Sequence, residues 1–206
     1  MTAWVFPVGH YLGPFVPGHD EPAESHRIRI GDELVKLVTE TEFMAWGLAH
    51  GLPDAVSPVS GRVWTRAVMA AIAGGRGTTD LADAVDGLLA LGALVEVGPD
   101  AVDPATFARS HRLRPLLAGL GTTAARPDRY RIGVFGEEPV AVVDAQVFDL
   151  WQWAPRVDTL WDLDELQAGT APLLGDDADG VPGLLHRVHT LIANGCGYLD
   201  VAATST

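Results

Sequence analysis

Apolar positions two residues apart open one stretch of this chain. Ile28 and Ile30, then Val35 and Leu37, flank Gly31-Asp32-Glu33, the pattern of a short β-hairpin. Thr39 followed by Glu42 completes a capping box, so a helix is predicted to begin there and to carry Phe43 and Trp46 as far as Gly51. A second helix is predicted over Trp64–Ala73, closed by Gly74-Gly75. Thr79 or Asp80 caps a third, with Leu81, Val85, Leu88 and Leu89 on one face and Gly92 as its stop. Ala93–Val97 reads as a strand.

The series then returns. Tyr130–Phe135 and Pro139–Val143 form a hairpin pattern around Gly136-Glu137-Glu138. Asp144 or Ala145 opens a helix holding Phe148, Leu150, Trp151 and Trp153. An acidic helical pattern covers Thr159–Ala168, Gly169–Pro182 reads as a loop, and Val181–Ala193 is a helix capped by Gly195. Gly197–Val201 reads as the last strand. Three short matches fall in the same order. Arg29-Ile30-Gly31 matches Arg131-Ile132-Gly133, Phe43-x-x-Trp46 matches Phe148-x-x-Trp151, and the leucine-rich run ending at Gly92 matches the one ending at Gly195. A self-match of this kind implies a tandem of similar units.

The expected fold class is therefore α+β, with two tandem winged-helix-like repeats of β-hairpin, three helices and β-strand. The expected boundaries are an N-terminal Pro/Gly/aromatic arm over 1–26, a first repeat over 27–103, a basic connector over 104–128 and a second repeat over 129–206. The arm holds Pro7, Pro14, Pro17 and Pro22 with Trp4, Phe6, Tyr11 and Phe15 between them, the composition of a strap laid on a domain. The connector is expected to hold a short helix near Phe107–Leu113. Trp46 and Trp151 occupy equivalent places and are expected to anchor the two cores.

The net charge of −13 disfavours nucleic acid and anionic membrane as partners. One segment departs from it: between Phe107 and Arg131 lie Arg109, Arg112, Arg114, Arg126, Arg129 and Arg131 against the single acid Asp128. Its simplest role is to neutralise acidic neighbours; the competing one is a site for an acidic partner, or for nucleic acid in a winged-helix regulator. The predicted third helices carry Asp83 and Asp86 in one repeat and only Arg187 with two histidines in the other, a poor match to a helix that enters a DNA groove. No apolar run is long enough to span a membrane, and Met1–Phe15 lacks the basic and apolar regions of a signal peptide. A single cysteine, Cys196, permits no internal disulfide and suits the cytoplasm.

Candidate chemistry is sparse. His186-x-x-His189 puts two imidazoles on one helical face without an assured third metal ligand. Cys196 follows a glycine cap and stands where the first repeat has Ala93, a packing position rather than a nucleophile. Gly119-Leu120-Gly121-Thr122-Thr123 lacks the Gly-Lys-Ser/Thr ending of a phosphate loop and reads as a turn. The acids Asp176, Asp177 and Asp179 lack the bidentate glutamate of a calcium loop. No catalytic residue, cofactor or metal is expected, although a site shared with another chain is not visible in one sequence.

The order of hairpin, Phe-x-x-Trp helix, second helix and a helix ending in Leu-x-x-Gly-x-Leu resembles the PqqD-like family of leader-peptide recognition modules. Val142–Trp151 and Leu191–Leu199 carry the resemblance most clearly, and Leu37–Trp46 with Leu88–Val95 more faintly. Members of that family are usually single modules, so a duplicated pair departs from the pattern. The resemblance implies a protein or peptide partner, bound as an added strand along the hairpin edge and against the third helix. The expected binding residues are Arg29, Leu34, Lys36 and Val38 on the first hairpin, Arg109, Arg112 and Arg114 in the connector, and Trp153 and Trp161 as an exposed aromatic pair. Pro139 interrupts the equivalent strand of the second repeat, so the first repeat is expected to bind and the second to be a structural or homodimerising copy.

Overall fold

The computed structural model describes residues 3–18, 24–53, 63–75, 80–174 and 180–203. The chain is α+β and divides into two compact units, Met1–Gly51 with Arg62–Asp103, and Leu52–Gly61 with Pro104–Thr206. The first unit runs β1 (Trp4–Pro7), β2 (His10–Phe15), β3 (Ser25–Ile30), β4 (Glu33–Leu37), α1 (Glu40–Ala49), α2 (Arg66–Gly74), α3 (Leu81–Ala90) and β5 (Leu94–Val97). Its strands form an antiparallel meander in the order β2-β3-β4 and a separate antiparallel pair, β1 with β5. The second unit opens with α4 (Pro104–Ser110) and repeats the series. It continues with β6 (His111–Pro115), β7 (Ala118–Thr123), β8 (Arg126–Gly133), β9 (Ala141–Val143), α5 (Ala145–Trp153), a 3-10 turn over Ala154–Arg156, α6 (Leu160–Leu174), α7 (Gly180–Ala193) and β10 (Gly197–Val201). Its meander is β7-β8-β9, and β6 pairs antiparallel with β10.

This architecture redraws the boundaries expected from the sequence. Residues 1–26 are not a strap: they supply β1, β2 and the start of β3. Every residue of β1 is buried, because its apolar run Trp4-Val5-Phe6 packs inside the unit. The segment 104–128 is likewise not a connector, since it supplies α4, β6, β7 and the start of β8. The expected helix near Phe107–Leu113 is α4, and it stops at Ser110, where β6 begins. Gly119–Thr123 is strand rather than turn, and α6 runs on to Leu174 where a loop was expected. The acids Asp176, Asp177 and Asp179 lie outside the described residues.

Both units close at the same junction. Helix α3 ends at Gly92, whose φ of +69° lets the Gly92 N–H reach the Leu89 carbonyl while the Ala93 N–H reaches the Leu88 carbonyl. Helix α7 ends identically at Gly195, φ +66°, with bonds from Gly195 to Ile192 and from Cys196 to Leu191. The next carbonyl then receives the chain leaving the first strand: Val8 donates to Ala93 at 2.9 Å, and Leu116 donates to Cys196 at 3.1 Å. The tryptophan indoles bind here too. Trp46 Nε1 donates to the Val8 carbonyl at 3.2 Å, and Trp151 Nε1 donates to the Cys196 carbonyl at 3.0 Å. Both rings are buried, and both indole N–H groups are satisfied.

The meanders correspond rung by rung, but not at the register the sequence match implies. Ile28 lies opposite Val35 and Ile132 opposite Ala141, so Ile28 and Ile132 are the equivalent pair, both fully buried. Arg29-Ile30-Gly31 and Arg131-Ile132-Gly133 are therefore offset by two residues, a slip that keeps every side chain on its face. The first strand of each meander shifts register just before a glycine at positive φ, Gly13 in β2 and Gly121 in β7. Equivalent rings stack over the helices: His26 on Phe43 at 3.6 Å, and Tyr130 on Phe148 at 4.6 Å. A third ring, Tyr11, packs beside Phe43 and Trp46 in the first unit. Its counterpart is Gly119, where an added Cβ would meet Phe148 Cζ at 3.1 Å.

Removing either anchor should be severe. Trp46→Ala and Trp151→Ala are each expected to lower the unfolding free energy by about 3–5 kcal/mol, measured in urea. A loss under about 0.5 kcal/mol would instead mark a surface residue. Two histidines should make stability depend on pH. Burial lowers the pKa of His50 below its usual 6.5, against the opposing bonds to the Trp46 and Gly47 carbonyls. Burial likewise lowers His111, against the Phe107 carbonyl and the Asp200 charge. Each folded pKa lies below the unfolded value, so the unfolded chain binds more protons between the two. The stability they contribute is complete above about pH 6.5 and is lost as pH falls through the folded values. Unfolding free energy should therefore drop between about pH 7.5 and about pH 5.5, and less steeply in a His50→Gln, His111→Gln variant. Identical slopes in the two proteins would clear both histidines of that role.

Candidate functional site

Strand β4 is one of the two outer strands of the first meander, β2 being the other. The turn before it uses two residues, Gly31-Asp32, with Gly31 at φ +56°, so that Ile30 pairs with Glu33. The sequence pattern had assigned Glu33 to the turn as well, which moves every rung by one. In a two-residue hairpin the closing pair exchanges both main-chain hydrogen bonds, and the bonded pairs then alternate. Glu33, Val35 and Leu37 thus bond to β3, while the N–H and C=O of Leu34 and Lys36 face the open edge. Side chains alternate as well: Leu37 is buried and Val35 half-buried, while Leu34, Lys36 and Val38 are exposed, Leu34 to 51% and Val38 to 65%.

The open edge ends at Val38. Its N–H is taken by Glu42 Oε2 at 2.7 Å, and the same oxygen accepts the Thr39 N–H at 2.9 Å. Thr39 Oγ1 in turn accepts the Glu42 N–H, completing the capping box expected from sequence. Val38 therefore offers a side chain but no main-chain donor, which the sequence reading did not distinguish.

Three cations share the exposed face of this meander. Arg27 pairs directly across from Lys36, and Arg29 across from Leu34. The Arg27 guanidinium lies 3.5 Å from the centre of the Phe15 ring, with Lys36 Nζ 5.9 Å from the same ring. Arg27 was missing from the expected set because a three-residue turn does not place it opposite Lys36. A hairpin closed by Ile30 and Glu33 does, and a pairing scheme centred on Gly31-Asp32 would have found it. Among the described residues no carboxylate forms an ion pair with Arg27, Arg29 or Lys36.

The second unit offers different chemistry at the same places. Its outer strand β9 has three residues and begins after Pro139. Val140 and Val142 are exposed where the first unit has Leu34 and Lys36, and Val134 and Phe135 are exposed in the hairpin loop. Arg131, the counterpart of Arg27, is turned onto the strand beside it, donating to the carbonyls of Leu120, Gly121 and Thr122.

The other expected binding residues are not gathered into one site. The Arg109 guanidinium sits over the Trp161 ring, 3.7 Å from its centre, and Trp161 Nε1 donates to Glu165. Arg112 pairs with Asp200 at 3.3 Å across the β6–β10 rung, and Asp200 is only 4% exposed. Arg114 lies opposite Tyr198 in the same ladder and is half-buried. Trp153 is 39% exposed and has Arg156 at 5.6 Å, so the two tryptophans meet separate cations. The basic segment thus serves largely inside its own unit.

Cys196 is buried, and that burial pushes its thiol up to about 11, far from a reactive thiolate. His186 is exposed and His189 half-buried on α7. Among the described residues no group of three or more His, Cys, Asp or Glu is placed to hold a metal, and no helix is long and apolar enough to cross a membrane. No protein-family model, curated protein or solved structure matches the chain.

The Arg112–Asp200 pair provides a direct test of the basic segment. Arg112→Ala would remove the arginine that pairs with buried Asp200, and should cost about 3 kcal/mol of stability. A fully stable Arg112→Ala protein would show that the arginine is spare for an external partner.

Proposed function

We propose that this chain is a non-catalytic binding protein in which two winged-helix-like repeats stand in tandem, and that the first repeat captures an extended protein or peptide segment. The observation that carries this reading is the open edge of β4, with main-chain groups of Leu34 and Lys36 facing outward beneath exposed Leu34, Lys36 and Val38 side chains. A strand added there would gain main-chain hydrogen bonds, and its alternate side chains would meet those three residues. The order of hairpin, three helices and strand in each unit supports the winged-helix-like description and the resemblance to PqqD-like modules. Each unit also carries a preceding strand that pairs with the last, beyond the series read from sequence.

The second repeat is the weaker candidate for peptide capture, because β9 offers three residues behind a proline. Nucleic-acid binding draws no support from the basic segment, since Arg109 and Arg112 are engaged within their unit. A cytoplasmic setting accords with the single, buried cysteine.

Selection from a randomised peptide display library, followed by amide exchange on the full chain, tests the reading. Bound peptides should protect the amides of Leu34 and Lys36. Lys36→Pro removes an edge donor without touching the β3 ladder, so it should abolish capture while leaving the circular dichroism spectrum intact. Lys36→Gln keeps the donor and should keep capture. Val35→Pro should instead disrupt the meander. Protection confined to the second unit, or full capture by Lys36→Pro, would refute edge addition at β4.

A further inference from the structure

We infer that the segment captured on β4 reads apolar–x–acidic–x–apolar, with a carboxylate seated beside Lys36, whose cross-strand neighbour is Arg27. This deepens the peptide-binding reading and rests on it. The face above the edge is arranged in rungs: Leu34 beside Arg29, then Lys36 beside Arg27, then Val38. An added strand would place every second side chain beside Leu34, Lys36 and Val38 in turn. The pattern is a palindrome, so it holds whether the segment runs parallel or antiparallel to β4.

The middle rung is the selective one. Arg27 and Lys36 are like charges directly opposed across two strands, a destabilising arrangement. The Phe15 ring beneath both cations holds them on the same side of the sheet. Arg27 Nε is buried and has no hydrogen-bond partner among the described residues. A carboxylate on the incoming strand would relieve the repulsion. The flanking rungs select differently. Leu34 and Val38 are exposed apolar side chains that gain by being covered. Although the chain as a whole is acidic, only charges within roughly 8 Å are felt strongly at physiological salt, and among the described residues this face carries Arg27, Arg29 and Lys36. In the second unit the middle position is Val142 and its partner Arg131 is tied to carbonyls, so the same preference is not built there.

The test uses the full chain and two blocked heptapeptides, Thr-Val-Thr-Glu-Thr-Val-Thr and its counterpart with lysine at the centre. Binding is followed by the amide shifts of Leu34 and Lys36 in nitrogen-15 NMR. The glutamate peptide should bind at least about fivefold more tightly, a preference of the size cross-strand charge pairs give. The preference should shrink at about 0.5 M salt. Lys36→Glu should reverse the order of the two peptides, and Lys36→Gln should erase it. Equal affinity of both peptides, with shifts at β4, would overturn the acidic preference and leave edge capture standing. Shifts absent from β4 with either peptide would overturn both.

Discussion

Each unit depends on bringing its first strand back to its last. A two-stranded ribbon is marginal on its own, so β1 with β5, and β6 with β10, persist only because helices cover them. The helix stops at Gly92 and Gly195 make this return possible. Only a residue that tolerates positive φ can end the helix and aim the following carbonyl at the chain leaving the first strand. A buried tryptophan N–H then satisfies a carbonyl at that junction, Val8 in one unit and Cys196 in the other. Loss of the ring would cost packing and leave a buried acceptor poorer at the same point. The small residues Ala93 and Cys196 belong to this constraint, because both are fully buried where helix turns into strand.

What could be read in the sequence was whatever local chemistry dictates. The capping box of Thr39 and Glu42, the Asp144 cap on the Val147 N–H and the glycine stops involve residues within a few positions of one another, and all formed where expected. Strand pairing over long separations was not legible. Trp4 meets Val97, and His111 meets Val201, pairings that no local pattern announces. Prolines and glycines around Trp4-Val5-Phe6 resembled an extended strap, because an edge strand tolerates them as readily as a loop does. The arginines of 109–114 drew attention by charge, yet alternation around the buried Leu113 was the structural message of that stretch. On the candidate site, Leu34, Lys36 and Val38 were readable from period-two alternation. Arg27 was not, since a one-residue error in turn length conceals its rung.

The two units also show how one framework carries different surfaces. Positions that build the junction and the buried rung of the meander keep their chemistry: Trp46 and Trp151, Gly92 and Gly195, Ile28 and Ile132. Positions facing outward have diverged. Tyr11 becomes Gly119, and the space its ring takes beside Phe43 and Trp46 is closed over by Phe148 and Trp151. Lys36 becomes Val142, and the neighbouring arginine changes partner with it. Arg131 spends its donors on three carbonyls around the Gly121 bulge, so it braces β7 rather than presenting charge. Arg27 rests instead on a ring that accepts no conventional hydrogen bond, and its Nε has no hydrogen-bond partner among the described residues. The same backbone therefore ties its arginine to carbonyls in one unit and rests it on an aromatic ring, across from Lys36, in the other. That difference lies in what the guanidinium can reach, not in the fold.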